Sequence, residues 1–490
     1  MDLPETRLFK WLSPIVHLSS NWISRIGVVL VTTATVLWLY LLPNIIRGAI
    51  THPYLGMLTF LVLPGVFFTG LILIPVGIIV RRRAERRKGV FPAAFPPLDF
   101  RNVELRQLLI FVGVITAVNV LLGGEFTYSG ISYMDTVTFC GQTCHTVMQP
   151  EFTAYQGSPH ARVECVQCHI GPGASWFVRS KLSGVQQVFA VMLNTYPRPI
   201  PVPVHNLRPA RETCEACHWP QRFAGDRIKV IPKYAEDEKN SLTKTVLLLH
   251  IGGGGAGPGI HSAHLGSGIT IRYGSDESRQ TVHWVEYQNT SAKRTTLYLG
   301  PETKPESVNQ SARATARVMD CIDCHNRPTH IYQLPDRAMD QAMADGDIST
   351  SLPFVKKKGL ELLKVEYSNR ADATTRIPAA LTEYYEQTYP DVSTQRAAEI
   401  TQAGKALAAI YGRNVFPAMK LTWGTYPNNV GHTDFPGCFR CHDSQHSSAD
   451  GSQTIPQDCG TCHNLLAMDD PNPKVLVDLG MAPAEEAHKP

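Results

Sequence analysis

Twelve cysteines in this 490-residue chain fall into six close pairs, and in every pair the second cysteine is followed at once by histidine. The motifs are Cys140/Cys144-His145, Cys165/Cys168-His169, Cys214/Cys217-His218, Cys321/Cys324-His325, Cys438/Cys441-His442 and Cys459/Cys462-His463, with no cysteine left over. Two sulfurs at this spacing can add to the two vinyl groups of one porphyrin, and the adjoining histidine then falls beneath the iron as an axial ligand. The pattern therefore predicts six covalently attached c-type haems. Zinc is a rival for paired cysteines, but a zinc ribbon is complete with two pairs and has no use for an invariable next-residue histidine. Disulfides are the other rival in an oxidising compartment, and they leave the histidines unexplained. The first motif carries three residues between its sulfurs, Cys140-Gly-Gln-Thr-Cys144, so the extra residue has to bulge outward. Met148 offers a second candidate ligand within one helical turn of His145.

Six irons held by motif histidines need up to six partners from elsewhere, and position in the chain selects them. His160 lies five residues before Cys165, His330 lies five after His325, and His432 and His446 flank the fifth motif. These four, with Met148, His205, His261 and His264, are the expected distal ligands, while His250, His283 and His488 read as ordinary polar residues. Bis-histidine ligation fills both faces of an iron, so most of these centres should transfer electrons rather than bind substrate.

The elements that must position these motifs begin with three apolar segments, Ile26–Ile46, Met57–Val80 and Gln107–Gly124. A bilayer crossing needs about 20 such residues. The third segment is short and borrows interfacial Phe126, Tyr128 and Tyr133. No small-residue cleavage site follows the first, which is expected to stay as an anchor. The loop between the second and third spans holds Arg81, Arg82, Arg83, Arg86, Arg87, Lys88, Arg101 and Arg106, against Arg47 alone between the first and second. The positive-inside bias then puts the N-terminus in the cytoplasm and everything after Gly124, including all six motifs, on the periplasmic side of a bacterial inner membrane. Covalent haem attachment takes place outside the cytoplasm, so topology and motif agree.

Residues 1–130 read as a membrane domain, 131–330 as a tetrahaem domain, and 331–490 as a helical C-terminal dihaem domain. Between about 219 and 320 the β-like runs Leu242–Leu249, Ile269–Tyr273, Thr281–Tyr287 and Thr295–Leu299 predict a small β insertion. The Gly252–Gly255 run lacks the Lys-Ser/Thr ending of a phosphate loop and reads as a turn. A helical stretch is expected over roughly 353–415, broken by Pro378 and Pro390. The fold class is thus mainly α: a loop-rich multihaem cytochrome c with three transmembrane helices and a small β insertion. The net charge of +4 is too small, and too evenly spread outside one short segment, to suggest a nucleic-acid partner.

At Cys140–Lys181 the chain resembles the NapC/NirT family of membrane-bound quinol dehydrogenases. The matching features are an anchor helix leading to Cys144-His-Thr-Val-Met148-Gln-Pro-Glu151, then Ser158-Pro-His160 and Cys165-Val-Gln-Cys-His169, a lysine twelve residues on, and Cys321-Ile-Asp-Cys-His-Asn-Arg-Pro-Thr-His330. The whole chain is similar to the larger inner-membrane multihaem cytochromes that metal-reducing bacteria use for respiration. The resemblance implies that menaquinol or ubiquinol from the membrane pool is oxidised at the first haem, with Lys181 near the ring oxygens; of the nearby carboxylates, Asp135, Glu125 or Glu151 is expected to take the proton. Family members often carry a carboxylate where this chain has Gln186 and Gln187, so Gln187 joins the site without an obvious acid–base role. The resemblance further implies that His160 serves the third haem and His330 the second, with either His145 or Met148 on the first iron. Periplasmic cytochromes or other redox proteins would receive the electrons.

Two other readings of the residues are open. A reductase of nitrite-like small ligands needs an iron with an open face and often a lysine ligand, and no motif here ends in lysine. A purely conducting subunit of a larger respiratory or photosynthetic complex would use its spans as a dock for other membrane subunits.

Overall fold

The computed structural model describes residues 7–46, 62–95, 103–123, 129, 133, 136–143, 145–171, 183, 186–187, 189–204, 207–219, 225–253 and 259–481. Contacts divide the chain into two units, Met1–Cys140 with Glu164–Val188, and Gly141–Val163 with Phe189–Pro490.

Three helices of the first unit are long and apolar enough to cross a membrane: Trp22–Ile46, Leu63–Arg87, and Val103–Val118 with its continuation to Leu121. They fall on the three expected spans, of which residues 57–61 and Gly124 lie outside the described residues. An additional helix, Arg7–Ser19, precedes them. The first two spans pack closely because glycines face the contact. A Cβ on Gly27 would lie 2.7 Å from the Gly70 carbonyl oxygen, and one on Gly77 would lie 2.3 Å from Ser24 Oγ, whose hydroxyl donates to the Ile74 carbonyl at 3.0 Å. Lipid gives apolar helices no hydrophobic reason to associate, so small residues that let backbones approach take over that role.

The two ends of this helix pair differ in chemistry. At one end Arg81 bonds Glu85 at 2.7 Å and the Ser20 carbonyl at 2.6 Å, while His17 lies 2.9 Å from Glu104 and 3.3 Å from Glu85. At the other end Leu37, Leu41 and Leu63 form a buried cluster with Val166 and Ile170, in and just after the helical turn Cys165–His169. The second motif therefore sits on the end of the spans away from the arginines.

The second unit holds two antiparallel sheets and a helical lobe. The strands are β1 (Asp226–Tyr234), β2 (Leu242–His250), β3 (Ile269–Ser275), β4 (Val282–Asn289), β5 (Arg294–Leu299), β6 (Arg317–Val318), β7 (Ser447–Ser448) and β8 (His463–Asp470). One sheet runs β1-β2-β8 and the other β6-β3-β4-β5-β7. Strands β2 to β5 fall on the four runs expected from alternation. The insertion does not close on itself, however: β7 and β8 come from the two C-terminal motifs, so the boundary drawn at 330 is bridged by strand pairing.

The lobe comprises the helices Pro335–Ala344, Val355–Leu363, Arg370–Thr388, Pro390–Gln395 and Ala397–Asn414. Pro390 starts a helix at a position where no N–H is needed. Pro378, expected to break one, lies inside Arg370–Thr388. A Cβ on Gly404 would come within 2.9 Å of the Pro378 Cα, so the neighbouring helix packs directly on the proline and tertiary contact overrides its local preference. The core of this lobe is Met339, Leu360, Leu363, Ile377, Leu381, Tyr385 and Leu407, all essentially solvent-inaccessible. Leu381→Ala should cost about 2–5 kcal/mol and lower the melting temperature of the detergent-solubilised chain; unchanged melting would mean the cavity collapses fully.

The hairpin β1–β2 is clamped to this lobe. Asn240, at φ +49°, donates to the Thr350 and Leu352 carbonyls and accepts from Lys356 N–H, and Asp340 accepts from Tyr234 N–H at 3.0 Å and from Lys356 Nζ at 2.6 Å.

Candidate haem centres

Each motif folds as one tight turn, and its local sequence says why. The second, fourth and sixth motifs form helical turns over Cys165–His169, Cys321–Cys324 and Cys459–Cys462, the fifth forms a 3-10 turn over Gly437–Arg440, and the third follows from the helix Ala210–Cys214. In the fourth and sixth an aspartate precedes the first cysteine and caps the turn: Asp320 accepts from Ile322 N–H at 3.1 Å and Asp458 from Gly460 N–H at 3.0 Å. The first motif, one residue longer, forms a π turn over Phe139–Thr143, the wider coil that an inserted residue produces. Its Gly141 lies where a Cβ would stand 2.2 Å from the Phe152 ring, so no larger residue fits there without displacement.

The motifs adjoin one another. The Cys140 and Cys165 thiols hydrogen-bond, which holds Cys165 down at about 7. The Cys214 and Cys321 thiols do the same and lower the Cys321 pKa. Burial pushes Cys324 up to about 11 and Cys441 up to about 12, with Cys438 adding to the first and Cys324 to the second. Cys438 likewise acts on Cys462. Motifs one and two are thus neighbours, and motifs three to six form a row in chain order. Arg440, inside the fifth motif, locks this row by donating to the Asp323 carbonyl of the fourth at 2.6 Å and to the Arg279 carbonyl at 2.7 Å.

The cysteines are not equally enclosed. Cys168 and Cys217, the second cysteines of the second and third motifs, are exposed, as is Cys459, whereas Cys165, Cys214 and Cys462 are half-buried. The physical reason is the shape of the turn. In each of the second and third motifs the first cysteine packs against a neighbouring motif, Cys165 on Cys140 and Cys214 on Cys321, and the second cysteine, three residues on, falls beyond that contact. Cys168 and Cys217 therefore stay at the surface.

Four motif histidines each face a second histidine. Ring centroids are 5.8 Å apart for His218 and His160, 6.3 Å for His325 and His261, 5.8 Å for His442 and His264, and 6.1 Å for His463 and His432. Two imidazoles bonded to one metal through nitrogens at ~2 Å have centroids about 6 Å apart, so the residues fit a six-coordinate haem iron between them. Several are held as ligating histidines are held, with Nδ1–H donated to an oxygen so that Nε2 is the ligating atom. His160 donates to the Pro328 carbonyl at 3.2 Å, His264 to Ile260 at 2.7 Å, His442 to Pro456 at 2.9 Å, and His330 to Glu151 at 2.9 Å. Burial lowers the pKa of His261, His264 and His325, favouring the neutral ring that a metal needs.

The other expected site residues divide. Met148 is half-buried on the helix His145–Gln156. His169 closes its turn on the surface, next to Cys168. Exposed Gln187 donates to Ser183 Oγ at 3.2 Å. Cys144, Asp135, Lys181, His205 and the side chain of His145 lie outside the described residues. His446, expected as a ligand, is buried with Nδ1 at 3.0 Å from the Asp443 carboxylate and Nε2 at 3.1 Å from the Val282 carbonyl. Both nitrogens are taken by protein oxygens, and the ring fastens the turn after Cys441 to β4.

An imidazole paired at iron-bridging distance with one that follows two cysteines answers to covalently held haem: disulfides leave both rings unexplained, and a Cys2His2 zinc site would need two thiolates and two imidazoles gathered around one point, whereas among the described residues no three such groups converge closely enough to hold a metal ion by themselves. With the spans, this defines a membrane-anchored multihaem c-type cytochrome. The N-terminal region of the NapC/NirT cytochrome c family matches residues 102–199. Over 452 residues, 91% of this chain and 88% of the relative, the sequence is 43% identical to the cytochrome c-type protein ImcH of Geobacter sulfurreducens. Over 103 residues, 19% of this chain and 58% of the relative, it is 30% identical to the cytochrome c-type protein NrfH of Wolinella succinogenes. No solved structure matches. The chain belongs to the NapC/NirT cytochrome c family.

Proposed function

We propose that the chain oxidises menaquinol or ubiquinol at the membrane surface and passes the electrons along six haems to periplasmic cytochromes or other redox proteins. The observation that carries this reading is the row of motifs, with four of the six motif histidines facing a second histidine: such centres have no open face for substrate and are suited to electron transfer. Bound haem supplies one-electron acceptors whose potentials follow from axial ligands and surroundings. Cys140 and Cys165 lie together in the unit that holds the spans, so the first two motifs are the ones a membrane substrate would meet. The position of Val166 and Ile170 on the end of the spans away from Arg81–Arg87 supports a cytoplasmic N-terminus and periplasmic haems.

In this reading Lys181 orients the quinol and stabilises the ring oxygen as its proton leaves. Asp135, Glu125 or Glu151 takes the proton, and the Glu151 carboxylate lies 3.5 Å from Arg327 and 3.2 Å from His330. Gln187, an amide, binds rather than accepts a proton. The purified chain, in detergent and without oxygen, should be reduced by a menaquinol or ubiquinol analogue in an inhibitor-sensitive way, and its mass should exceed the polypeptide by six haems. Reduction by dithionite but by neither quinol would overturn the proposal in favour of a conducting subunit.

A further inference from the structure

The β insertion between the third and fourth motifs carries no cysteine, and one of its short helices, Ile260–Leu265, lies between strands β2 and β3. We infer that this helix supplies the distal ligands of two different haems, His261 to the iron held by Cys321/Cys324-His325 and His264 to the iron held by Cys438/Cys441-His442, and that His446 ligates none. The inference rests on the reading that all six motifs bind haem.

The helix presents two imidazoles one turn apart, at i and i+3, and each meets a different motif histidine, at 6.3 and 5.8 Å between centroids. Its position is built from both sides. His261 N–H donates to the Ile251 carbonyl at 2.8 Å, and Gly259 approaches so closely that a Cβ there would lie 2.5 Å from Gly252 N. On the other side the chain enters β3 at Ile269, and β3 pairs through Arg272 and Tyr273 with β6, which ends three residues before Cys321. Met319 N–H continues that ladder to the Ile271 carbonyl at 2.9 Å. The five-stranded sheet therefore holds His261 and His325 on one rigid frame, and its far edge, β5 with β7, holds the segment just after the fifth motif.

The competing ligand for the fifth motif is His446, four residues beyond His442. Its two nitrogens face Asp443 and the Val282 carbonyl, and a Cβ on Gly300 would come within 3.1 Å of Nε2, so nothing the size of a porphyrin can reach it. His264, by contrast, donates Nδ1–H to the Ile260 carbonyl within its own helical turn, which leaves Nε2 for a metal, and its ring centroid lies 5.8 Å from that of His442. The insertion thus couples the fourth and fifth centres: one helical turn fixes a face of each iron.

The test uses the full-length holoprotein poised with ferricyanide or dithionite, with no quinol present, so that it stands apart from quinol oxidation. His261→Ala and His264→Ala should each retain six haems by mass and convert one low-spin centre to high-spin in electron paramagnetic resonance, and the double variant should convert two. His446→Gln should leave every centre low-spin. If either alanine variant sheds its haem, His261→Met and His264→Met supply a replacement ligand; each should keep six haems with one centre titrating at a higher potential. An unchanged spectrum in His261→Ala or His264→Ala, an unshifted titration in the methionine variants, or a new high-spin centre in His446→Gln would overturn the assignment.

Discussion

A Lys181→Ala variant is expected to lose quinol-driven reduction by on the order of 10²-fold or more, the scale on which a single preorganised group aimed at a developing oxyanion acts. Dithionite should still reduce every haem, and the haem content should be unchanged. The reasoning is electrostatic. Quinol gives up two electrons and two protons, and the oxygen left behind carries charge at a membrane surface, where a fixed ammonium counts for more than in water. Lys181→Arg keeps the charge with a different shape and should retain part of the rate, whereas Lys181→Gln should resemble the alanine variant. Gln187→Ala should have a much smaller effect, because an exposed amide donating to Ser183 carries no charge to lose. Undiminished quinol kinetics in Lys181→Ala would remove the lysine from the site.

What could be read from sequence here was what local spacing encodes. Each Cys-x-x-Cys-His turn is self-contained, the three spans are long apolar runs, and β2 to β5 alternate or run apolar over their own length. What stayed hidden depends on partners far along the chain. β8 pairs with β2 across more than two hundred residues, and no local pattern in His463–Asp470 announces it. β1 was missed because its charged residues, Asp226, Arg227, Lys229 and Lys233, obscure the alternation. The same limit applies within the motifs: spacing treats Cys165 and Cys168 alike, or Cys214 and Cys217, and only the packing of one motif on the next separates the half-buried sulfur from the exposed one. Proximity to a motif does not by itself say what a second histidine faces: His160 and His432 meet motif rings, whereas the nitrogens of His446 face Asp443 and the Val282 carbonyl. A cue was present, since an aspartate three residues before a histidine can reach its Nδ1. The spacing of His261 and His264 was another, two rings on one face of one turn.

The residue that sequence reasoning passed over is Asp323, the second x of the fourth motif, and its loss should damage both the stability of the second unit and the fourth centre. Its carboxylate is almost wholly buried and accepts from Arg317 Nε at 2.6 Å, Tyr273 hydroxyl at 2.6 Å and Asp320 N–H at 2.7 Å, with Arg279 at 3.8 Å. Burial and the Asp323 charge push the Tyr273 pKa up, so the phenol stays a donor. Burial works against the Arg317 charge, but the same carboxylate outweighs it and raises that pKa too. Asp323→Ala would leave the buried Tyr273 hydroxyl without its acceptor and the Arg317 and Arg279 guanidinium groups with Asp320 as the remaining carboxylate, a loss of about 1–3 kcal/mol on the scale of a buried group left unsatisfied. Because the carboxylate joins the Cys321–Cys324 turn to β3 and β6, the frame that sets His325 against His261 should loosen with it. The expected result is a lower melting temperature together with a fourth centre that is partly high-spin or missing by mass. Asp323→Asn keeps an acceptor for Tyr273 and should fall between. Arg317→Met combined with Asp323→Leu should recover part of the stability, since an apolar pair of similar volume can replace buried charges but cannot satisfy Tyr273 or the Asp320 N–H. If Asp323→Ala melts like the parent with all centres low-spin, the turn does not depend on this carboxylate and is held without it, by the Asp320 cap and by Arg440 and Asn429 on the Asp323 carbonyl among other contacts.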